Sequence, residues 1–303
     1  MQDPIQVEVM RGDVVEAVHT VHAVAVRDGQ IVAEAGDPRL LTYLRSSAKP
    51  IQALPLVRAR PDLADREIVI ACASHCARPE QLDAVRALLA AAPATEDDLE
   101  TGSEPTPIEH NCSGKHAGFL AVCRARGYET RGYRLASHPL QQELLVEVAA
   151  AAEVEPAEIP VVVDGCGVPT YALPLDRCAH VFARLSLLEG GPRVIAAMRA
   201  LPELLRGPIA ADVMFIRAVE GWAAKGGAEG LFCAGSADGL GIALKVEDGA
   251  FRAIRPAVAT FLARLGIDTG ELGIVTVENS RGETVGAIRT RPESRVPKGR
   301  SRV

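Results

Sequence analysis

In Arg45-Ser46-Ser47-Ala48-Lys49-Pro50 a hydroxyl and an amine stand three residues apart, and these are the groups that a nucleophile and its base require. Proline is tolerated in a first helical turn, so the segment reads as a helix start, and positions three apart share one helical face. Lys49 then points back at Ser46. An amine with an ordinary pKa near about 10.4 takes up no proton from a hydroxyl at neutral pH, so the pair works only where burial or a neighbouring cation such as Arg45 depresses it. The same short S-x-x-K pattern also marks exposed helix starts that do no chemistry.

Three further clusters carry reactive groups. Cys72-Ala73-Ser74-His75-Cys76 follows the apolar run Ile68-Val-Ile-Ala; read as a short buried strand, that run delivers a hydroxyl and an imidazole to a sheet edge. The spacing of Cys72, His75 and Cys76 matches no standard zinc pattern, and Cys72 reads as a small buried hydrophobe. His110-Asn-Cys112-Ser-Gly-Lys115-His116 gathers a thiol, an amine and two imidazoles. It is no phosphate loop, because no glycine stands six residues before Lys115 and His116 replaces the hydroxyl that would bind magnesium. Pro160-Val-Val-Val, also read as a short buried strand, enters a glycine turn at Asp164-Gly165-Cys166-Gly167-Val168-Pro169, which lets backbone approach a ligand and brings Asp164 and Cys166 out on one side. A strand-ending turn with a packed cysteine is the plain alternative. Lys245, late in Gly239-Leu-Gly-Ile-Ala-Leu-Lys, is by position an ordinary strand lysine.

The elements that must hold these residues are sheet at both ends and helix between. Val21–Val26 and Ile31–Ala35 flank Asp28-Gly29, a hairpin signal. Strand-like runs recur at 230–234, 241–247 and 250–254, separated by Asp238-Gly239 and Asp248-Gly249. Helical patterns cover 81–92, 118–126, 141–152, 192–200, 210–218 and 258–265. No internal repeat interrupts them. The pattern predicts one α+β domain over 1–290 whose N- and C-terminal strands pair in an antiparallel sheet, with a helical lobe inserted, and a flexible basic tail over 291–303.

Taken together, Arg45-Ser-Ser-Ala-Lys-Pro, Ala73-Ser-His with Pro79-Glu-Gln, His110-Asn-Cys-Ser-Gly-Lys-His-Ala-Gly, Asp164-Gly-Cys-Gly-Val-Pro and Gly239-Leu-Gly-Ile-Ala-Leu-Lys resemble the Rhizobium etli type, or class 3, L-asparaginases. The resemblance spans most of the chain with its motifs in order. It implies a fold related to serine β-lactamases and glutaminases, a homodimer, and hydrolysis of L-asparagine to L-aspartate and ammonia through an acyl-serine intermediate. It also implies two Ser-Lys pairs, Ser46 with Lys49 and Ser74 with Lys245, and one zinc ion per chain on Cys112, Lys115 and Cys166. Arg45, Asp164 and His116 carry over as substrate-binding residues, and Cys233 as a neighbour.

Bulk properties narrow the partners. A net charge of −6 disfavours nucleic acid, which requires a concentrated positive face. No apolar run approaches the length that spans a bilayer. The N-terminal residues lack the basic and apolar regions of a secretory signal, so a cytoplasmic protein is expected, with its seven cysteines as thiols or metal ligands. The expected partner is a small amino-acid substrate. Two rival readings remain at this stage: a β-lactamase or penicillin-binding-protein-like acyl-serine hydrolase, which also begins from S-x-x-K, and a non-catalytic module binding zinc or an amino acid. The chain contains neither Ser-Asp-Asn nor Lys-Thr-Gly.

Overall fold

The chain opens with β1 (Ile5–Arg11), β2 (Val14–Arg27) and β3 (Gln30–Ala35). Asp28 and Gly29, with φ of 50° and 74°, make the tight turn of the predicted hairpin, whose twist suits the flanking strands. The computed structural model describes residues 2–103 and 105–292, so the expected basic tail lies almost wholly outside the described residues. β4 (Leu41–Tyr43) leads through a 3₁₀ turn at Arg45–Ala48 into two short helices, α1 (Lys49–Gln52) and α2 (Leu54–Ala59). The helical lobe follows as α3 (Asp65–Ala71), α4 (Pro79–Ala91), α5 (Ser113–Arg126) and α6 (Pro139–Ala152). β5 (Val161–Val163) and β6 (Pro169–Pro174) then pair with β4 in a small antiparallel sheet of order β4-β6-β5.

Helices α7 (Leu175–Arg184), α8 (Gly191–Ala200) and α9 (Ala211–Ala218) precede β7 (Trp222–Gly226), β8 (Leu231–Ser236) and β9 (Leu240–Val246). The described chain closes with α10 (Ile254–Arg264), β10 (Val275–Glu278) and β11 (Thr284–Thr290). The main sheet is antiparallel, of order β10-β11-β1-β2-β9-β8-β7, with β3 also paired on β2. The predicted union of chain ends is therefore present: Val7 faces Thr290 across β1 and β11, and Ala23 faces Leu244 across β2 and β9.

Helix α7 lies against β2, β8 and β9, and its close approach depends on two glycines. Gly235 and Gly241 face each other across β8 and β9. A Cβ on the first would overlap the Phe182 carbonyl oxygen, and one on the second the Ala179 carbonyl oxygen. Only hydrogen fits, so the helix backbone rests directly on the sheet.

Three local expectations need correction. Ile68-Val-Ile-Ala is not a strand but the body of α3, started by Glu67, whose carboxylate accepts from the Ala64 N–H at 2.9 Å. Its branched residues are buried on all sides by α4, α5 and α8, and a short run of unbroken apolar residues does not distinguish that setting from a sheet centre. Residues 250–254 likewise form a 3₁₀ turn entering α10, where Ile254, Ala257, Val258, Phe261 and Leu262 make one buried helical stripe. Val161–Val163 is a strand, yet an exposed one, with Val163 72% exposed, because β5 is the edge of the small sheet and pairs, among the described residues, with β6 alone. The six predicted helices are all present as α4, α5, α6, α8, α9 and α10. Among the described residues no helix is long and apolar enough to cross a membrane.

Candidate active site

The turn from β4 into α1 places the first pair. Leu44 N–H donates to the Tyr171 carbonyl at 2.8 Å and Arg45 N–H to Thr170 Oγ1 at 3.1 Å, both in β6. Between these anchors Arg45 takes a φ of 47°, a left-handed conformation that a non-glycine residue adopts only when its surroundings enforce it. Ser46 follows immediately, half-buried, and its hydroxyl makes no hydrogen bond to the protein among the described residues. Ser47 behind it is fully buried and donates to the Lys225 carbonyl at 2.8 Å.

Lys49 is buried, and its amine bonds to the Ala73 carbonyl and, at 3.0 Å, to Ser74 Oγ. Burial holds its pKa below the ordinary lysine value, opposed by the Cys112 thiol, which lies close enough to bond to it, and reinforced by the Lys115 charge. Ser74 is placed by the end of α3, its N–H donating to the Leu205 carbonyl at 2.8 Å. The next residue, His75, is buried: its Nδ1 accepts from the Ala77 N–H at 3.1 Å, so Nε2 carries the proton and donates to Ser113 Oγ at 2.7 Å. Burial first and the Lys49 charge second pull the His75 pKa down to about 4.

The start of α5 contributes Cys112, Lys115 and His116. It sits close to α3 because residue 114 is glycine; a Cβ there would overlap the Ile70 carbonyl oxygen. Lys115 Nζ lies 3.0 Å from Cys166 Sγ, which comes from the turn between β5 and β6. The two sulfurs also bond to each other, and this coupling drives them apart: Cys112, accepting from Cys166 and flanked by Lys49 and Lys115, ionises well below the usual thiol range, whereas Cys166 is held above it. Burial pushes the Lys115 pKa down, but Cys166 and Cys112 outweigh it and keep the amine protonated. His116 lies buried one residue on. Tyr133 Oη accepts from the Glu100 N–H and spends its own proton on His116 Nδ1 at 2.8 Å, so the Nε2–H is a buried donor without a partner among the described residues.

At the open side of this cluster Arg45 Nε meets Asp164 Oδ1 at 2.7 Å. Asp164 also accepts from the Gly165 N–H at 2.6 Å, and Gly167, with a φ of 85°, closes the turn that presents Cys166. The sequence-selected residues Arg45, Ser46, Lys49, Ser74, Cys112, Lys115, Asp164, Cys166 and His116 thus share one neighbourhood. Lys245 does not join them: its amine bonds to the Val246 carbonyl, beside Glu229, Asp248 and Glu247. Besides Lys115, the amine near Lys49 is Lys225 of β7, which the sequence reading passed over. Burial lowers its pKa to about 7 against the opposing pull of Asp212, whose Oδ2 lies 3.4 Å away. The signal was present in Trp222-Ala-Ala-Lys-Gly-Gly, a lysine in the middle of a small-residue strand with every position buried. Cys233 faces Lys225 across β7 and β8 and bonds to Ser47, so it too flanks the turn.

The donor set for a metal has a definite character. Among the described residues no three His, Cys, Asp or Glu side chains converge as a ligand group, so a metal here requires the lysine. Cys112, Cys166 and Lys115 do converge, and a divalent cation would take the place of the protons that Lys115 and Cys166 now hold. The set fits zinc in ligand softness, at the cost of those deprotonations.

A match to the family of L-asparaginase II covers residues 7–290. The chain belongs to that family, which places it among the asparaginase-type amidohydrolases. A comparison with curated protein sequences finds no match. Among solved structures, the chain is similar to a Bacteroides dorei protein provisionally described as a β-lactamase (13% identity, TM-score 0.45, covering 80% of this chain and 93% of that one). A protein named Mglu aligns at 14% identity and TM-score 0.39, over 86% of this chain and 66% of its own. A Mycobacterium bovis β-lactamase aligns at 11% and 0.36, over 76% and 88%. Nothing about substrate passes across likenesses of this size.

Proposed function

We propose that this chain hydrolyses the side-chain amide of L-asparagine, with Ser46 as nucleophile and Lys49 as its base. The observation that carries the reading is a buried amine with a lowered pKa, 3.0 Å from one serine hydroxyl and one turn from another, in a chain of an amidohydrolase family. Ser46 is favoured as nucleophile because it follows the strained Arg45 on the open side and its hydroxyl is unengaged, whereas Ser74 is buried on Lys49. A neutral Lys49 keeps a donor bond to the Ala73 carbonyl and accepts a proton on its lone pair.

In the proposed cycle Ser46 Oγ attacks the amide carbon as its proton moves to Lys49 Nζ. The gap between them closes in the substrate complex, as catalytic bonds commonly do. Collapse breaks the C–N bond, and the same amine returns the proton to the leaving group, which departs as ammonia. Water, deprotonated by Lys49, then cleaves the ester and frees aspartate. Ser74 relays or steadies the proton on Lys49, and the Lys115 charge limits the positive charge that Lys49 can hold. A zwitterionic substrate can exchange into the Arg45–Asp164 pair, its carboxylate on the guanidinium and its ammonium on the carboxylate. Zinc on Cys112, Lys115 and Cys166 would supply a Lewis acid and an anchor for the substrate carbonyl or carboxylate.

Ammonia release from asparagine, glutamine and a chromogenic β-lactam, with and without chelator, tests the reading. Ammonia from asparagine is expected, with no β-lactam opening. Absence of ammonia from asparagine across neutral and alkaline pH, with zinc supplied, sinks it.

A further inference from the structure

A cavity of about 400 Å³ lies behind this cluster, touching it only through Asp212 and Gly226, the partners of Lys225: neither Ser46, Lys49, Ser74, Lys115 nor Cys166 lines it. Its apolar wall comes from Leu231 and Phe232 of the sheet, Ile254 of α10, and Ile209 and Phe251, which are 81% and 47% exposed. Its charge comes from Arg206, Arg252 and Arg255.

The three guanidiniums are only partly engaged. Arg255 donates from Nε to the Leu272 carbonyl at 3.0 Å and from Nη2 to the Ile274 carbonyl at 2.9 Å. Arg252 donates from Nε to His19 Nε2 at 2.9 Å. Arg206 lies over the Phe251 ring, 5.7 Å from its centre, and its Nε is buried with no hydrogen-bond partner among the described residues. Among the described residues none of the three forms an ion pair with a carboxylate. The single acid in the wall, Asp212, is fully buried, bonded to Lys225 Nζ and the Gly226 N–H, and feels the Arg206 charge without forming an ion pair with it. A buried guanidinium nitrogen without an acceptor carries a free-energy cost that an acceptor in the cavity would relieve.

We propose that this cavity is a second ligand site, taking a small monocarboxylate with an aromatic or branched apolar body. The carboxylate would meet Arg206 and Arg252, for which a guanidinium fork is the suited partner. The body would cover the exposed faces of Phe251 and Ile209. The volume is at the lower end of what small-molecule sites offer. Asparagine is the wrong shape of polarity for it, since its ammonium would face three cations and its amide an apolar wall. The site is therefore distinct from the one proposed for catalysis, and its test requires no turnover.

Phenylacetate and its neutral counterpart phenylacetamide are the probes. Calorimetric titration of the full chain should give saturable binding of phenylacetate, weaker by at least about tenfold for phenylacetamide and for phenylacetate with Arg206→Gln. Cys76 locates the site, being part of the cavity wall and the exposed one among seven cysteines. Phenylacetate should slow its alkylation by iodoacetamide, followed by peptide mapping, and phenylacetamide should not. Equal binding of the two probes to the unaltered chain, or no saturable binding, overturns the proposal without recourse to any variant. So does full affinity in a folded Arg206→Gln protein, which would move the carboxylate to another arginine such as Arg45.

Discussion

Two seams in the molecule are closed by the same device and put to different use. Helix α7 rests on the main sheet through Gly235 and Gly241, and α5 rests on α3 through Gly114; in each a methyl group would strike a carbonyl oxygen. The α7 seam buries Leu175, Ala179 and Phe182 against the strands, and burial keeps the Cys178 thiol among them protonated. The α3–α5 seam buries His75, Ser113 and Lys115, and lies beside Lys49 and Ser74. Close backbone approach therefore stabilises the fold in one place, while in the other it brings amines and thiols together out of water, where their proton affinities diverge. Lys49 and Lys115 are both buried lysines near the same two sulfurs, yet burial wins at Lys49 and the sulfurs win at Lys115.

The strongest way to break that contrast is to remove the amine on which burial wins. Lys49→Met should lower kcat by about 10²–10⁴-fold, the range for loss of a general base, while leaving the melting temperature unchanged or raised, since a buried amine gives way to an apolar chain of similar length. Ser46→Ala should lose as much. The unaltered protein's rate should rise with pH as Lys49 gives up its proton. Ser46→Ala activity within about tenfold of the parent would pass the nucleophile role to Ser74.

Metal content is the next test, aimed at the amine on which the sulfurs win. Protein purified without chelator and incubated with zinc at mildly alkaline pH should carry one equivalent by elemental analysis. Lys115→Ala and Cys166→Ala should not. Because Lys115 is raised, a metal there competes with a tightly held proton, and retention should fall steeply as pH drops. Full retention in both variants would remove the three-residue site.

His75 tests the seam as a whole. Its folded pKa of about 4 lies below the ordinary value of 6.5, so the unfolded chain binds more protons between those values. Stability from this group is then complete above about pH 6.5 and declines as pH falls through the window to about 4, by about 3 kcal/mol in all. The physical event is protonation of Nδ1, which costs the bond from the Ala77 N–H. Urea midpoints at pH 7 and pH 4 should differ less in His75→Gln than in the parent. An equal difference in both would assign the acid sensitivity elsewhere.

How much of this was legible depends on where the governing contact lies. The Asp28-Gly29 hairpin, six helices and the pairing of the chain ends follow from local patterns. So does the gathering of Cys112, Lys115 and His116, because that set is contiguous, whereas Lys49, expected to point back at Ser46, bonds instead to the Ala73 carbonyl and Ser74. Lys225 was missed because its importance comes from Asp212 and from Lys49, brought near only by the fold. Helix α7 went unpredicted although Leu175, Cys178, Ala179 and Phe182 have helical spacing; it runs on directly from β6 with no punctuating glycine. Ile68–Ala71 was misread because four buried apolar residues look alike in a sheet and in a helix with neighbours on every side. Nothing local marks the role of Gly114, because the Ile70 carbonyl that requires it is brought there by the fold.

The smallest effects should come from the glycines themselves, and they sharpen the comparison most. In Gly241→Ala the added methyl meets the Ala179 carbonyl and the Ala183 backbone, and in Gly114→Ala it meets the Ile70 carbonyl. None of these atoms can rotate away, so the helix must lift. Each change should cost about 1–3 kcal/mol, as overpacking does, read as a lowered melting temperature. Their effects on turnover should differ. Lifting α7 disturbs an apolar seam, so folded Gly241→Ala should keep its specific activity. Lifting α5 off α3 strains the 2.7 Å bond between His75 and Ser113 and moves Lys115 relative to Ser74, so Gly114→Ala should lose activity well below its melting temperature. If both variants lose activity in proportion to stability alone, or if Gly114→Ala turns over asparagine normally, the second seam is packing like the first.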